Sequence, residues 1–187
     1  GYNERFHFNL DRGEAVSVQT SGDGDLEVGY AKVSATASVG GTAVFSYMRD
    51  GVIFFETGVP AVSPRKNIAI FLDTSAENRD TGIAFANTSE RSADGMIRLY
   101  DSAHTLIAEK EFGAAGMDLE GGCHLARYAT ELFKEIRQQK IHRGVVEITS
   151  DRPLAALTLG QSIFPVEEIQ GGLYLLTAYP VIRTGIE

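Results

Sequence analysis

LEVGYAKVSATASVGGTAVFSYMRDGVIFFETGVP, residues 26–60, is the stretch from which the rest of the chain is read. Short apolar runs alternate with glycine, serine and Asp-Gly punctuation, the pattern of three or four strands joined by tight turns. Strand signals fall at Leu26–Ser34, Ala43–Tyr47 and Val52–Thr57. Gly40-Gly41 separates the first two and Arg49-Asp50-Gly51 the last two. Asp-Gly marks a hairpin because tight two-residue turns need positive φ. Gly58-Val59-Pro60 closes the unit.

On the N-terminal side, Phe6–Leu10 and Ala15–Thr20 alternate apolar with polar residues, the period of a half-buried strand. Asp11-Arg12-Gly13 supplies a turn between them, and Ser21–Asp25 a second. On the C-terminal side, residues 61–67 read as a connector and Ile68–Leu72 as a short buried strand. A polar loop, 73–80, leads to Thr81–Asn87, where Ile83 and Phe85 share one face and small Ala84 and Ala86 the other. Met96–Tyr100 and Thr105–Phe112 form a hairpin about residues 101–104. In His124–Gln139, Leu125, Ala129, Leu132 and Ile136 recur every three or four residues, which predicts one short amphipathic helix over about 124–139. Glu131 and Glu135 are like charges one turn apart, so that helix depends on packing. Gly144–Thr149, Ala155–Leu159 and Leu173–Ala178 then read as strands, with Pro153 and Gly171-Gly172 as breaks.

Several stretches pair up in the same order. Gly29–Ala35 resembles Gly144–Ser150, Leu10–Gly13 resembles Leu119–Gly122, and Val59–Val62 resembles Tyr179–Ile182. A duplication of a β unit about 100 residues long accounts for this, as does chance likeness between any two sets of strands and glycine turns. On the duplicated reading, residues 1–62 are a first β unit incomplete at its N-terminal side, and 63–187 a second β unit carrying the helix.

Composition narrows the class. The 187 residues are 43% hydrophobic and 22% charged, ordinary values for a chain with a packed core. With 17 basic against 25 acidic residues, the net charge of −8 lacks the dense positive face that nucleic acid requires. The one basic cluster, Lys134, Arg137, Lys140, His142 and Arg143, reads as a solvated helix end. No apolar run approaches the length of a membrane span, so no membrane insertion is expected. A secretion signal, were the parent protein exported, would lie before Gly1. Cys123 stands alone, which rules out an intrachain disulfide, and reads as a small core residue.

The sequence holds little that carries chemistry. There is no G-x-S-x-G, and Cys123 and His124 are neighbours that do not face each other in a strand or a helix. His7, His104, His124 and His142 lack the spacing that gathers a zinc ion. Two oxygen-rich stretches have the donor type that calcium takes: Asp23, Asp25 and Glu27, and Asp73, Glu77 and Asp80. Neither fits the twelve-residue calcium loop, and a solvated turn explains both; the first is the candidate metal site. Tyr30, Tyr47, Tyr100 and Tyr174 are the candidates for a sugar-binding groove, against ordinary core or rim packing. Asn87-Thr88-Ser89 is a formal N-glycosylation sequon.

GYAKV, the AVF strand, ETGVPA, TGIAFAN, RLYD, HLARYATELF and GVVEITSDRPLAALTL occur in that order. Together they resemble the β-sandwich modules common in large secreted or surface proteins of environmental bacteria. Those modules show a G-Y-A-x-V strand, an E-A-G-V-P-A segment, a T-G-hydrophobic-A-x-A-N strand and a helix ending E-L-F. The likeness spans most of residues 26–180. Thr57 departs from it, standing where a small residue is usual, and so does the long stretch 160–172.

The resemblance implies a non-catalytic module of extracellular proteins. The expected fold is mainly β: two related β-sandwich-like units with one short helix. The expected role is structural or adhesive, in a secreted or cell-surface protein, with other subunits or neighbouring modules engaged as partners by sheet edges or end loops. The alternative is a carbohydrate-binding module with a glycan partner, assisted by calcium at Asp23, Asp25 and Glu27.

Overall fold

The computed structural model describes residues 5–21, 28–49, 51–75, 78–114, 116–166, 169–179 and 181–183. The chain is mainly β. Among the described residues, strands β1 (Thr42–Arg49) and β2 (Val52–Pro60) pair only with each other, as a two-stranded ribbon. Eight strands make the second sheet: β3 (Arg65–Asp73), β4 (Arg79–Asn87), β5 (Gly95–Asp101), β6 (Leu106–Phe112), β7 (His124–Tyr128), β8 (Arg143–Val166), β9 (Ile169–Tyr179) and β10 (Val181–Arg183). Two single-turn helices, α1 (Ala129–Leu132) and α2 (Glu135–Gln138), lie between β7 and β8.

The 24-residue β8 organises this sheet. Its first half, Arg143–Ser150, pairs with β3 on one edge and β5 on the other. Its second half, from Leu154, pairs with β4 and then β9. Pro153 lies at the changeover, where its missing N–H costs neither ladder a bond. There Asp151 donates its N–H to the Asp94 carbonyl, and the Asp94 N–H donates to the Asp151 carboxylate, each at 2.9 Å.

Even-numbered residues of β8 face inward through both halves: Gly144, Val146, Ile148, Leu154, Ala156, Thr158, Gly160 and Ser162 are all buried. Against them pack Ile68, Ile70 and Leu72 of β3, Ile83 and Phe85 of β4, Ile97 and Leu99 of β5, and Phe112 of β6. Ala129, Leu132, Phe133 and Ile136 close one side of the core. The inner face of β8 turns from aliphatic to small and polar after Ala156, so the apolar core stops there.

The helix expected over 124–139 is corrected. Residues 124–128 are strand β7, laddered to β4 from Ala86↔His124 to Gly82↔Tyr128. Phe133 is extended, with φ −127° and ψ 103°, and divides what remains into two turns. The periodicity picked the right buried residues, because Ala129, Leu132 and Ile136 are in the core. Pairing along the open edge of β4 outweighs a helix that has Tyr128 at its N-cap and Glu131 and Glu135 in repulsion.

The strands expected at Phe6–Leu10, Ala15–Thr20 and Leu26–Ser34 are corrected as well: no ladder forms in residues 5–21 or 28–34. The turn between the first two is present, with the Glu14 N–H on the Asp11 carbonyl and Gly13 at φ +87°. Alternation supplies an apolar face, but a strand also needs a paired neighbour for its backbone groups, and among the described residues no strand pairs with 5–21 or 28–34. Gly29–Ala35 thus lies outside any strand while its look-alike Gly144–Ser150 sits in the most buried one.

Candidate functional site

Polar side chains gather at the β3–β4 turn. Asp73, Thr81, Thr158 and Ser162 are all buried there. The Thr81 hydroxyl accepts the Asp73 N–H at 3.0 Å and donates to the Asp73 carbonyl at 3.1 Å, tying together two strands that share no ladder. Arg79 reaches the Asp73 carboxylate at 2.8 Å and the Ser162 hydroxyl at 3.2 Å. Burial pushes the Asp73 carboxyl up. Hydrogen bonding from Ser75 and the Arg79 guanidinium together outweigh that and hold it below the usual carboxylate range. Asp80 points elsewhere, accepting from the Thr130 hydroxyl and from the Thr81 N–H. Each carboxylate is occupied by protein donors, so Asp73 and Asp80 make a clamp between strands rather than an open ligand set. Glu77 lies outside the described residues.

Asn87 does comparable work at the other end of β4. It is fully buried and its amide nitrogen donates to the carbonyls of Arg91, Leu119 and Glu120. Its side-chain oxygen accepts from the Ser89 N–H and hydroxyl. The sequon asparagine is thus the joint between two loops, with its amide enclosed. Nothing in the residue pattern except an Asn at a strand end foretold that role.

The candidate metal ligands Asp23, Asp25 and Glu27 lie outside the described residues. Among the described residues no three His, Cys, Asp or Glu side chains are grouped to hold a metal ion. Cys123 is exposed, a correction to its expected place in the core. It follows the loop that Asn87 fastens, and the Asn87 N–H bonds its carbonyl. Tyr30 meets His124 edge-on, Tyr47 stacks on Phe55, Tyr100 stacks on His104, and Tyr174 belongs to β9. The four therefore stand on separate elements. A 270 Å³ cleft between the β2–β3 connector, β8 and β10 is lined by Val62, Ser63, Arg65, Ile68, Leu154, Ala156 and Val181. It holds one cation, one hydroxyl and no carboxylate.

The ribbon leaves much apolar surface uncovered. The register shifts between Tyr47 and Met48, which pairs Phe55 with Tyr47 and Ile53 with Met48, so Phe55 and Ile53 fall on opposite faces and both faces of β2 carry large apolar groups. Val44, Phe45, Met48, Val52 and Ile53 are each between 45% and 61% exposed. Tyr47 stacks on its cross-strand partner Phe55 with ring centroids 5.5 Å apart, and Ser46 bonds its partner Glu56 at 2.6 Å. Beyond these pairs the ribbon has little support: β2 lies against β9 without a ladder, and β1 has no neighbour on its outer edge among the described residues. The legible signal was VIFF (52–55), an unbroken apolar run, because a strand apolar on both faces needs cover on both.

No model of a protein family matches this chain, and neither a curated protein nor a solved structure does.

Proposed function

We propose that this chain is a non-catalytic structural or adhesive module of a secreted or cell-surface assembly, engaging neighbouring protein through strand edges. One observation carries the reading: the β1–β2 ribbon keeps large apolar groups exposed on both faces, and its outer edge is unpaired among the described residues. A two-stranded ribbon is marginal by itself in water, and a contiguous apolar surface of this kind marks a place of contact. The division into two β units, 1–62 and 63–187, belongs to the same reading, with the two halves of the eight-stranded sheet as opposed layers of a sandwich. The resemblance to bacterial surface modules is the support for an extracellular setting.

A hydrophobic fluorescent dye tests whether the ribbon is open. The 187-residue chain at low micromolar concentration is expected to enhance the dye's emission, and the double variant Phe45→Ser/Ile53→Ser to lose most of that enhancement. Emission no higher in the parent chain than in the variant means that the ribbon is already covered, and the reading fails.

A further inference from the structure

Resting on that reading, we infer that the occupant of the β1 edge is a second copy of this chain, whose Phe6–Thr20 stretch adds to it through the Ala15–Thr20 arm that follows its Asp11–Glu14 turn.

The first support is area. The chain exposes 13,328 Å², about half as much again as the roughly 8,800 Å² expected of a compact chain of its mass. The excess is larger than the ~1,000–2,500 Å² per partner that obligate interfaces bury. Its location is specific. Among the described residues, 17 of the 22 exposed large hydrophobics fall between Phe6 and Val62, the part that meets the core least.

The second support is that β1, charged only at its terminal Arg49, is the least protected edge among the described residues. Free edges invite pairing unless charge, proline, shortness or a covering element blunts them. Edge strand β6 carries Glu109, Lys110 and Glu111; β7 is five residues long with Arg127; β10 is three residues long. The far side of β9 is approached by β2. By contrast Thr42–Met48, TAVFSYM, has no charge and no proline over seven residues.

The third support is the matching donor. Phe6, Phe8, Leu10, Val16 and Val18 alternate with polar residues, are 46–57% exposed, and sit either side of the formed Asp11–Glu14 turn. This segment has the strand period, the turn and the apolar face, and lacks a ladder. One chain thus carries an unpaired strand and an unprotected edge, and two copies satisfy each other by β-strand addition.

Light scattering after size exclusion tests this on the 187-residue chain and two variants. The donor variant is Val16→Asp/Val18→Asp and the acceptor variant is Val44→Lys; all three sites lie outside the core, so both should keep the parent's thermal transition. The parent's mass is expected to rise with concentration from 20.2 kDa to at least twice that value. Each variant alone should lose the rise, and an equimolar mixture should recover a dimer, since one intact donor then meets one intact edge. A parent that stays at 20.2 kDa from micromolar to millimolar concentration overturns the inference. So does association that both variants retain, or a mixture that stays monomeric. A monomer that still enhances the dye loses the second copy as occupant and keeps the docking ribbon; a monomer that does not loses both.

Discussion

Asp73 and Asn87 show how single polar residues fix this sheet. Each is buried, and each holds two segments that share no ladder with one another. The Asp73 carboxyl is held below the ordinary value of about 3.9, so the folded state favours its ionised form. Its contribution is therefore fully present above that unfolded value and is lost as pH falls through the lower folded value. Asp73→Asn should lower the unfolding free energy at pH 7 by about 1–2 kcal/mol, discounted because Arg79 is 38% exposed and keeps access to water. Urea midpoints measured at pH 7 and pH 3 check the sign: the gap between parent and variant is expected to narrow in acid. A gap that is constant or wider at pH 3 contradicts the clamp.

Among the elements, β8 sets the rest in place, and its fit between β3 and β5 depends on a glycine. A side chain at Gly144 would run into the Tyr100 carbonyl oxygen of β5, a backbone atom fixed in its own ladder. Gly144→Ala should cost about 1–3 kcal/mol. Gly40→Ala, where nothing lies within 4 Å, should stay within about 0.5 kcal/mol of the parent. Denaturant unfolding of the two variants side by side measures this, and equal costs would count against the close approach. The elements were legible where apolar runs meet turn chemistry: Ala43–Tyr47, Val52–Thr57, Ile68–Leu72 and Thr81–Asn87 all fall inside observed strands. Pro153 reads as a break between two strands, and it lies inside one, β8, where the ladder partners change. Residues 124–128 were read as helix because a 3.6-residue period cannot register the open edge of β4 beside them. The Asp73 and Asn87 clamps are illegible because their partners lie between 2 and 33 residues away and follow no period.

At the scale of the molecule, order is divided. Among the described residues, the buried apolar ones apart from Val59 run from Ile68 to Ala156, while residues 5–62 contribute mostly exposed ones. A chain so divided should not open uniformly: stability is high where core and ladders coincide and low where neither exists. Amide hydrogen exchange at low micromolar concentration, resolved by segment, tests the central claim that the ribbon is an open docking element. Thr42–Arg49 should exchange within about tenfold of an unfolded peptide, and Ile68–Leu72 at least about 1,000-fold more slowly. Raising the concentration until the chain associates should slow exchange in Thr42–Arg49 and leave Ile68–Leu72 unchanged. Protection of Thr42–Arg49 equal to that of Ile68–Leu72 in the isolated chain would contradict the account.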